Sequence, residues 1–180
     1  MLLELNDTAV VLVDLQGKLA SLMVDRAQLF NHVERLLGCA RVLELPIVWT
    51  EQIPEKMGPT LARFRPRLEG LSPIPKSSFG CCGEPAFMKA LDATGRNSIL
   101  LAGIETHVCV YQTAAGLVER GYRVEVPADA VSSRTAGSRD IGLRKIERVG
   151  AALTSVETAV LELLRDAAHP RFRDILRLIK

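Results

Sequence analysis

The sequence predicts an α/β fold, a three-layer α/β/α sandwich built on a mainly parallel, Rossmann-like sheet of about six strands. Three observations predict it. Short apolar runs without polar alternation, such as Ala9–Val13 and Ile99–Ala102, read as strands covered on both faces. Segments with apolar residues at helical spacing lie between them. Nearly half the chain is hydrophobic (48%) and only 4% is aromatic, so the core is built from Leu, Val, Ala and Ile, as parallel α/β packing requires.

Taken in order, Ala9–Val13 opens the sheet and Asp14 ends that run. Arg26 to Glu44 carries Leu29, Phe30, Val33, Leu36, Leu37, Ala40 and Leu43 on one stripe, an amphipathic helix closed by Pro46. Cys39 falls inside it as a small buried hydrophobe. Pro46–Thr50 is the second strand. Thr60–Gly70 reads as either a short helix or an irregular lid, since Leu61, Phe64 and Leu68 are interrupted by Pro and Arg. Ile74–Lys76 is a brief strand, and a glycine-containing turn leads to a helix near Pro85, which suits a first-turn position. Ile99–Ala102 is the next strand, Gly103 gives a tight turn, and Val108–Arg120 is a helix closed by Gly121. Tyr122–Val126 is a strand, Pro127–Arg134 a turn along the sheet edge, Ser138–Val149 a helix and Ala151–Leu153 a last strand. Asp129 caps or pairs within its turn. Thr154-Ser-Val-Glu157 has capping-box spacing for the following helix. The apolar stripe of Phe172–Ile179 must cover either the domain itself or a second subunit.

At 180 residues, with no linker, internal repeat or low-complexity segment, residues 1–180 read as a single domain. A net charge of +2 without a Lys/Arg block implies neither nucleic acid nor an acidic membrane surface as partner. The amino-terminal residues lack the pattern of a secretory signal, and no apolar run approaches the roughly 18 residues of a membrane span, so a cytoplasmic protein is expected. Cysteines 39, 81, 82 and 109 lack zinc spacing and read as free thiols. The adjacent Cys81 and Cys82 cannot readily bridge each other.

Chemistry gathers at three strand ends. Asp14 stands at the carboxyl edge of the first strand, where open parallel sheets build their sites. Lys76 follows a short run bounded by prolines. Cys109 begins the helix after Gly103, where unpaired N–H groups and the helix dipole should make its thiol ionise more readily than a free one. His107 precedes Cys109 by two residues, so on a helix the two point about 200° apart and do not form a Cys–His pair.

The pattern Val11-Leu-Val-Asp14-Leu-Gln16, the segment around Lys76 and the run Gly103-Ile-Glu-Thr-His-Val-Cys109-Val occur in the order of the isochorismatase-like cysteine hydrolases, and from about residue 7 onward the chain resembles that family. Thr50-Glu-Gln52 and His169-Pro-Arg-Phe-Arg-Asp-Ile resemble its isochorismatase-domain-containing branch. The resemblance implies a triad of Asp14, Lys76 and Cys109, backbone N–H donors of Glu105 and Cys109 for an oxyanion, and a cis peptide before Glu105. Substrate contacts are assigned to Gln16, Leu19, Trp49, Gln52, Phe79 and Ile104, with Trp49 read either as core or as a stacking wall. Nicotinamidases of the family carry an Asp/His metal site near residues 51–59, and this segment has no histidine, so no catalytic metal and no cofactor are expected. Family habit and the spare carboxyl-terminal stripe imply a homo-oligomer.

These residues point to hydrolysis of a C–N bond in a small amide or carbamoyl compound. Asp14 acts as base, or faces a thiolate already formed, and Lys76 lowers the thiol pKa. Two other classes compete: a binding or scaffolding module on the same fold, and a redox protein using Cys81, Cys82 and Cys109.

Overall fold

Seven strands share one sheet in a computed structural model that describes residues 2–180; Met1, the first residue of the amino-terminal reading, lies outside the described residues. They are β1 (Thr8–Val13), β2 (Ile47–Gln52), β3 (Ile74–Lys76), β4 (Ser98–Ile104), β5 (Arg123–Pro127), β6 (Val131–Ser132) and β7 (Ala152–Thr154). The order is β3-β2-β1-β4-β5-β7, and every pairing is parallel. The chain winds outward from β1 to β3, returns to lay β4 beside β1, and winds outward the other way. The carboxyl ends of β1 and β4 therefore flank the switch point, the crevice where such sheets bind ligands. β6 is the strand beyond the expected six. It pairs with Gly103 and Ile104 at the end of β4, and at two residues it is too short to carry a periodic signal.

Successive residues of a strand face opposite sides, and the two cores follow that alternation. Val10 and Leu12 of β1, with Leu100, Ala102 and Ile104 of β4, pack against α2 (Arg26–Val42), α7 (Val156–Leu164) and α8 (Phe172–Ile179). Ala9, Val11 and Val13, with Ile99 and Leu101, pack against α4 (Pro85–Asp92), α5 (Tyr111–Glu119) and α6 (Ala136–Arg148). Two short helices, α1 (Gly17–Ser21) and α3 (Pro54–Met57), follow β1 and β2 at the carboxyl edge.

Several local expectations are revised. Gly103 lies within β4 rather than at a turn: with φ +125° it lets β4 approach Val13 so closely that a Cβ there would sit 2.1 Å from the Val13 carbonyl oxygen. Thr60–Gly70 is no lid, because its 3₁₀ turn Ala62–Arg67 buries Phe64, with Leu68 just after it, in the core against α2. The cap of α7 is Ser155, whose hydroxyl accepts from Thr158 N, while Thr154 ends β7. Asp129 does cap, but across the fold: it accepts from Val156 N at 3.0 Å and pairs with His32 at 3.1 Å. The stripe of α8 is spent on the protein's own core through Ile175 and Ile179. It gives no separate reason to expect a second subunit.

Candidate active site

A cavity of about 260 Å³ opens at the switch point, and both Asp14 and Cys109 line it. Strand register brings the parts there. Val13 pairs with Thr50 across β1 and β2, and Gln52 pairs with Lys76 across β2 and β3, so residues distant in sequence stand side by side.

Asp14 leaves β1 in the left-handed region, φ 51°, which a residue with a Cβ adopts only at a steric cost. Its buried carboxylate accepts from Thr50 Oγ1 at 2.8 Å through Oδ1, while Oδ2 lies 2.7 Å from Lys76 Nζ. The lysine's hydrogen bonds run elsewhere: to Gln52 Oε1 (2.5 Å), Ser78 O (3.1 Å) and Phe79 O (3.0 Å). An ammonium has three N–H donors. Lys76 is therefore shared between these three acceptors and the Asp14 carboxylate, which it holds as a close ion pair.

Cys109 sits in a π-turn, Thr106–Val110, that precedes α5, so the expected helix start is displaced. Two contacts fix the turn. Thr113 Oγ1 donates to Cys109 O at 2.7 Å and accepts from Cys81 N at 3.0 Å. Gly142 of α6 lies against the Thr106–His107 backbone, where an added Cβ would fall 2.7 Å from His107 N. The expectation of an acidic thiol is overturned: burial pushes Cys109 up to about 12, the Lys76 charge opposes this, and the Asp14 charge and hydrogen bond raise it further. Burial beside a carboxylate outweighs the one lysine and the turn's backbone dipoles. At neutral pH the sulfur is a thiol facing a base.

Thr50 and Cys81 extend the network behind the cavity. Thr50 has one hydroxyl proton and gives it to Asp14 Oδ1, since a carboxylate only accepts. The 3.6 Å contact between Thr50 Oγ1 and Cys81 Sγ therefore runs from the thiol to the hydroxyl. Burial raises the Cys81 pKa as well, keeping it a donor. Cys81 is fully buried, so an oxidant has no direct access to it.

Of the substrate-contact residues, Gln16, Leu19, Gln52, Phe79 and Ile104 line the cavity, with Phe79 exposed at its mouth. Trp49 does not. It is one residue out of phase with Thr50 on β2 and points into the core on the α2 side, where alternation must send it. Gln16 is a brace: its Nε2 donates to Gly58 O (2.7 Å) and Gln52 O (3.2 Å), and its Oε1 accepts from Gln52 N (2.5 Å). Glu105 lines the cavity, follows a cis peptide from Ile104, and accepts from Arg134 Nε at 3.0 Å. His107 is directed to Ser133 Oγ at 2.9 Å. Glu51, the acid nearest the family's metal position, is turned onto Thr60, whose N and Oγ1 donate to it at 2.6 and 2.7 Å. Among the described residues no three His, Cys, Asp or Glu side chains converge as metal ligands.

Sequence reasoning missed Thr50 and Thr113 as network members, and Ile53, Lys56 and Val108 as cavity walls. The signal for Thr50 was a hydroxyl residue closing an apolar strand one position from the Asp14 register. For Thr113 it was the four-residue spacing from Cys109, which returns a hydroxyl to that residue's carbonyl.

Known proteins match this arrangement. The isochorismatase domain family matches residues 8–158. Isochorismatase domain-containing protein 2A of Mus musculus is 39% identical over 170 residues, covering 94% of this chain and 81% of the relative. The MAR1 ribonuclease structure from Caenorhabditis elegans superposes with a TM-score of 0.94 at 34% identity, covering 99% of this chain and 92% of that one. YcaC of Pseudomonas aeruginosa, solved with hexane-2,5-diol and covalent acrylamide, gives 0.93 at 28% identity, covering 98% and 91%. YcaC of Escherichia coli, an octameric hydrolase of unknown specificity, gives 0.89 at 27% identity, covering 98% and 95%. On the domain match, the mouse relative and the superposition on these solved structures, the chain belongs to the isochorismatase family and has its hydrolase fold.

Proposed function

We propose that the protein is a cysteine hydrolase that cleaves a C–N bond of a small amide or carbamoyl compound through a thioester on Cys109, with no part assigned to a metal. The observation that carries the reading is the buried Asp14 carboxylate, paired with Lys76 and standing on the cavity wall with the Cys109 thiol, to which it is hydrogen-bonded. Because that thiol is not ionised at rest, Asp14 removes its proton as sulfur attacks the carbonyl carbon. The oxyanion that forms accepts from the backbone N–H groups of Glu105 and Cys109. On collapse the C–N bond breaks, the nitrogen takes the proton from Asp14, and ammonia or an amine leaves. Water then gives its proton to Asp14 and adds to the thioester. The C–S bond breaks, the carboxylic acid departs, and the sulfur recovers its proton. Lys76 balances the negative charge of Asp14 between these transfers.

Covalent acrylamide in Pseudomonas aeruginosa YcaC supports the reading, as a small amide made covalent in a related protein. The ribonuclease among the relatives raises RNA as a substrate, and the site favours it less: the lysine that lines the cavity, Lys56, stands at the rim, and Lys76 behind it is buried and spent within the protein. By analogy with octameric YcaC, we place the protein as a homo-oligomer, and exposed Leu2, Leu22, Leu71, Phe79, Ile141 and Leu161 are large apolar side chains available to an interface. The test is ammonia release from a panel of small amides together with intact-mass detection of an acyl adduct on Cys109. Turnover lost in Cys109→Ala is expected. RNA cleavage that needs Cys109, with no amide turnover, would overturn the proposal, and binding without turnover would return the site to a binding module.

A further inference from the structure

The cavity wall carries a pattern that narrows the substrate, on the reading that the site hydrolyses an amide. Leu19, Ile53, Met57, Phe79, Ile104 and Val108 give it apolar faces. Much of the polar capacity in and just behind that wall is used within the protein. Gln16 spends both amide hydrogens on Gly58 O and Gln52 O and its oxygen on Gln52 N. Gln52 donates to Ser77 O at 2.8 Å and accepts from Lys76. Lys76 donates to Gln52, Ser78 and Phe79. Glu105 accepts from the N and Nε of Arg134. What is left to meet a substrate is the Asp14–Cys109 pair, where the scissile group must lie, the second amide hydrogen of Gln52, Glu105 Oε2, and Lys56 on exposed α3 at the rim.

We infer that the substrate is a small, uncharged amide whose only polar group is the one that is cleaved, with a short aliphatic or single-ring acyl part. Size agrees. A volume of about 260 Å³ lies below the range of drug-sized pockets and holds about nine water-sized units at about 30 Å³ each. Charge agrees as well. A carboxylate on the acyl part would find Lys76 and Arg134 already paired with Asp14 and Glu105, so neither cation is free to receive it. A second amide or hydroxyl would give up water for a mostly apolar wall on which one amide hydrogen of Gln52 and one oxygen of Glu105 are the side-chain partners left beside the scissile site, so it would be incompletely paired. The exposed ammonium of Lys56 stays hydrated and attracts an anion only weakly.

Three amides of nearly the same shape decide it: 4-methylpentanamide, succinamide and succinamate, which end in an isopropyl group, a second amide and a carboxylate. Ammonia release at equal concentrations gives kcat/KM for each, and the same compounds are scored for protecting Cys109 from iodoacetamide. The expected order is 4-methylpentanamide, then succinamide, then succinamate, with about a hundredfold between first and last and protection in the same order. Shortening the acyl chain by one methylene lowers kcat/KM about tenfold. Turnover that favours succinamide or succinamate would leave the hydrolase reading standing and overturn this one. A succinamate preference that disappears in Lys56→Gln would assign the distal carboxylate to Lys56, also against it. Ammonia from none of the three, with wild-type protein folded and Cys109 alkylable, would remove the hydrolase reading and the inference together.

Discussion

Cys109 and Cys39 are both buried, and burial pushes both thiols up to about 12. Their surroundings differ. Cys39 lies in α2 among core side chains, and the charges that oppose its rise belong to Arg67 and Arg35. Cys109 lines a cavity, and the group that adds to its rise is the carboxylate placed to receive its proton. A depressed thiol pKa is therefore not what distinguishes a nucleophile from a packing cysteine in this protein. What differs is a carboxylate, Asp14, on the cavity wall that Cys109 shares. Under the proposed mechanism the same carboxylate that keeps the thiol protonated at rest removes its proton when a carbonyl arrives.

The sharpest way to break that comparison is to remove each thiol in turn. Cys109→Ala should lower kcat/KM for a hydrolysed amide by about 10⁴-fold or more, the scale of losing a nucleophile. Cys39→Ala should leave it within about twofold. Comparable losses in both would mean that the cavity cysteine is not special.

Asp14→Asn separates reactivity from catalysis, because the two should move in opposite directions. Without the base, amide turnover should fall by about 10³-fold. Without the negative charge, one cause of the raised thiol pKa is gone, so iodoacetamide at pH 8 should modify Cys109 faster than in wild type. Slower alkylation in Asp14→Asn would show that Asp14 activates the resting thiol, contrary to the coupling described above. Lys76→Ala should slow alkylation, since the lysine charge opposes the rise.

A smaller effect is expected one bond further back. Thr50 donates to Asp14 Oδ1 and does not line the cavity, so Thr50→Val should reduce kcat about tenfold to a hundredfold with KM nearly unchanged. Cys81→Ala, which removes only the donor to Thr50, should cost less than Thr50→Val. A change confined to KM would make Thr50 a wall residue and sever the positioning chain.

Much of this was legible in the sequence because it is local. Runs such as Ile99–Ala102 announced covered strands, and Asp14, Lys76 and Cys109 each stood at a strand end in family order. Features that depend on register were not legible. Whether Trp49 or Thr50 faces the site is set by a pairing phase that one strand does not contain, and pairing with Val13 put Thr50 beside Asp14. The π-turn carrying Cys109 exists because Gly142, far along the chain, lets α6 reach its backbone. The thiol pKa was misjudged for the same reason: a helix start can be read locally, but burial and the approach of Asp14 are properties of the assembled crevice.

The smallest prediction concerns Cys39 and stability. Removing its sulfur should cost about 1 kcal/mol, an ordinary core substitution. Because burial raises the folded-state pKa from the ordinary 9.0 to about 12, the folded protein holds this proton where the unfolded chain has released it. The contribution is therefore complete below about pH 9 and declines as pH climbs toward 12. Denaturant midpoints of wild type and Cys39→Ala should differ by a constant amount from pH 7 to about pH 8, draw together above that and change order near pH 10, because a loss of about 1.4 kcal/mol per pH unit overtakes the original difference. Cys82, pushed up to about 11, and Cys109 are present in both proteins, so their own alkaline losses cancel in the difference. A gap that stays constant through about pH 10.5 would mean that the α2 thiol titrates alike in both states, and burial would then cease to be the feature that Cys39 and Cys109 share.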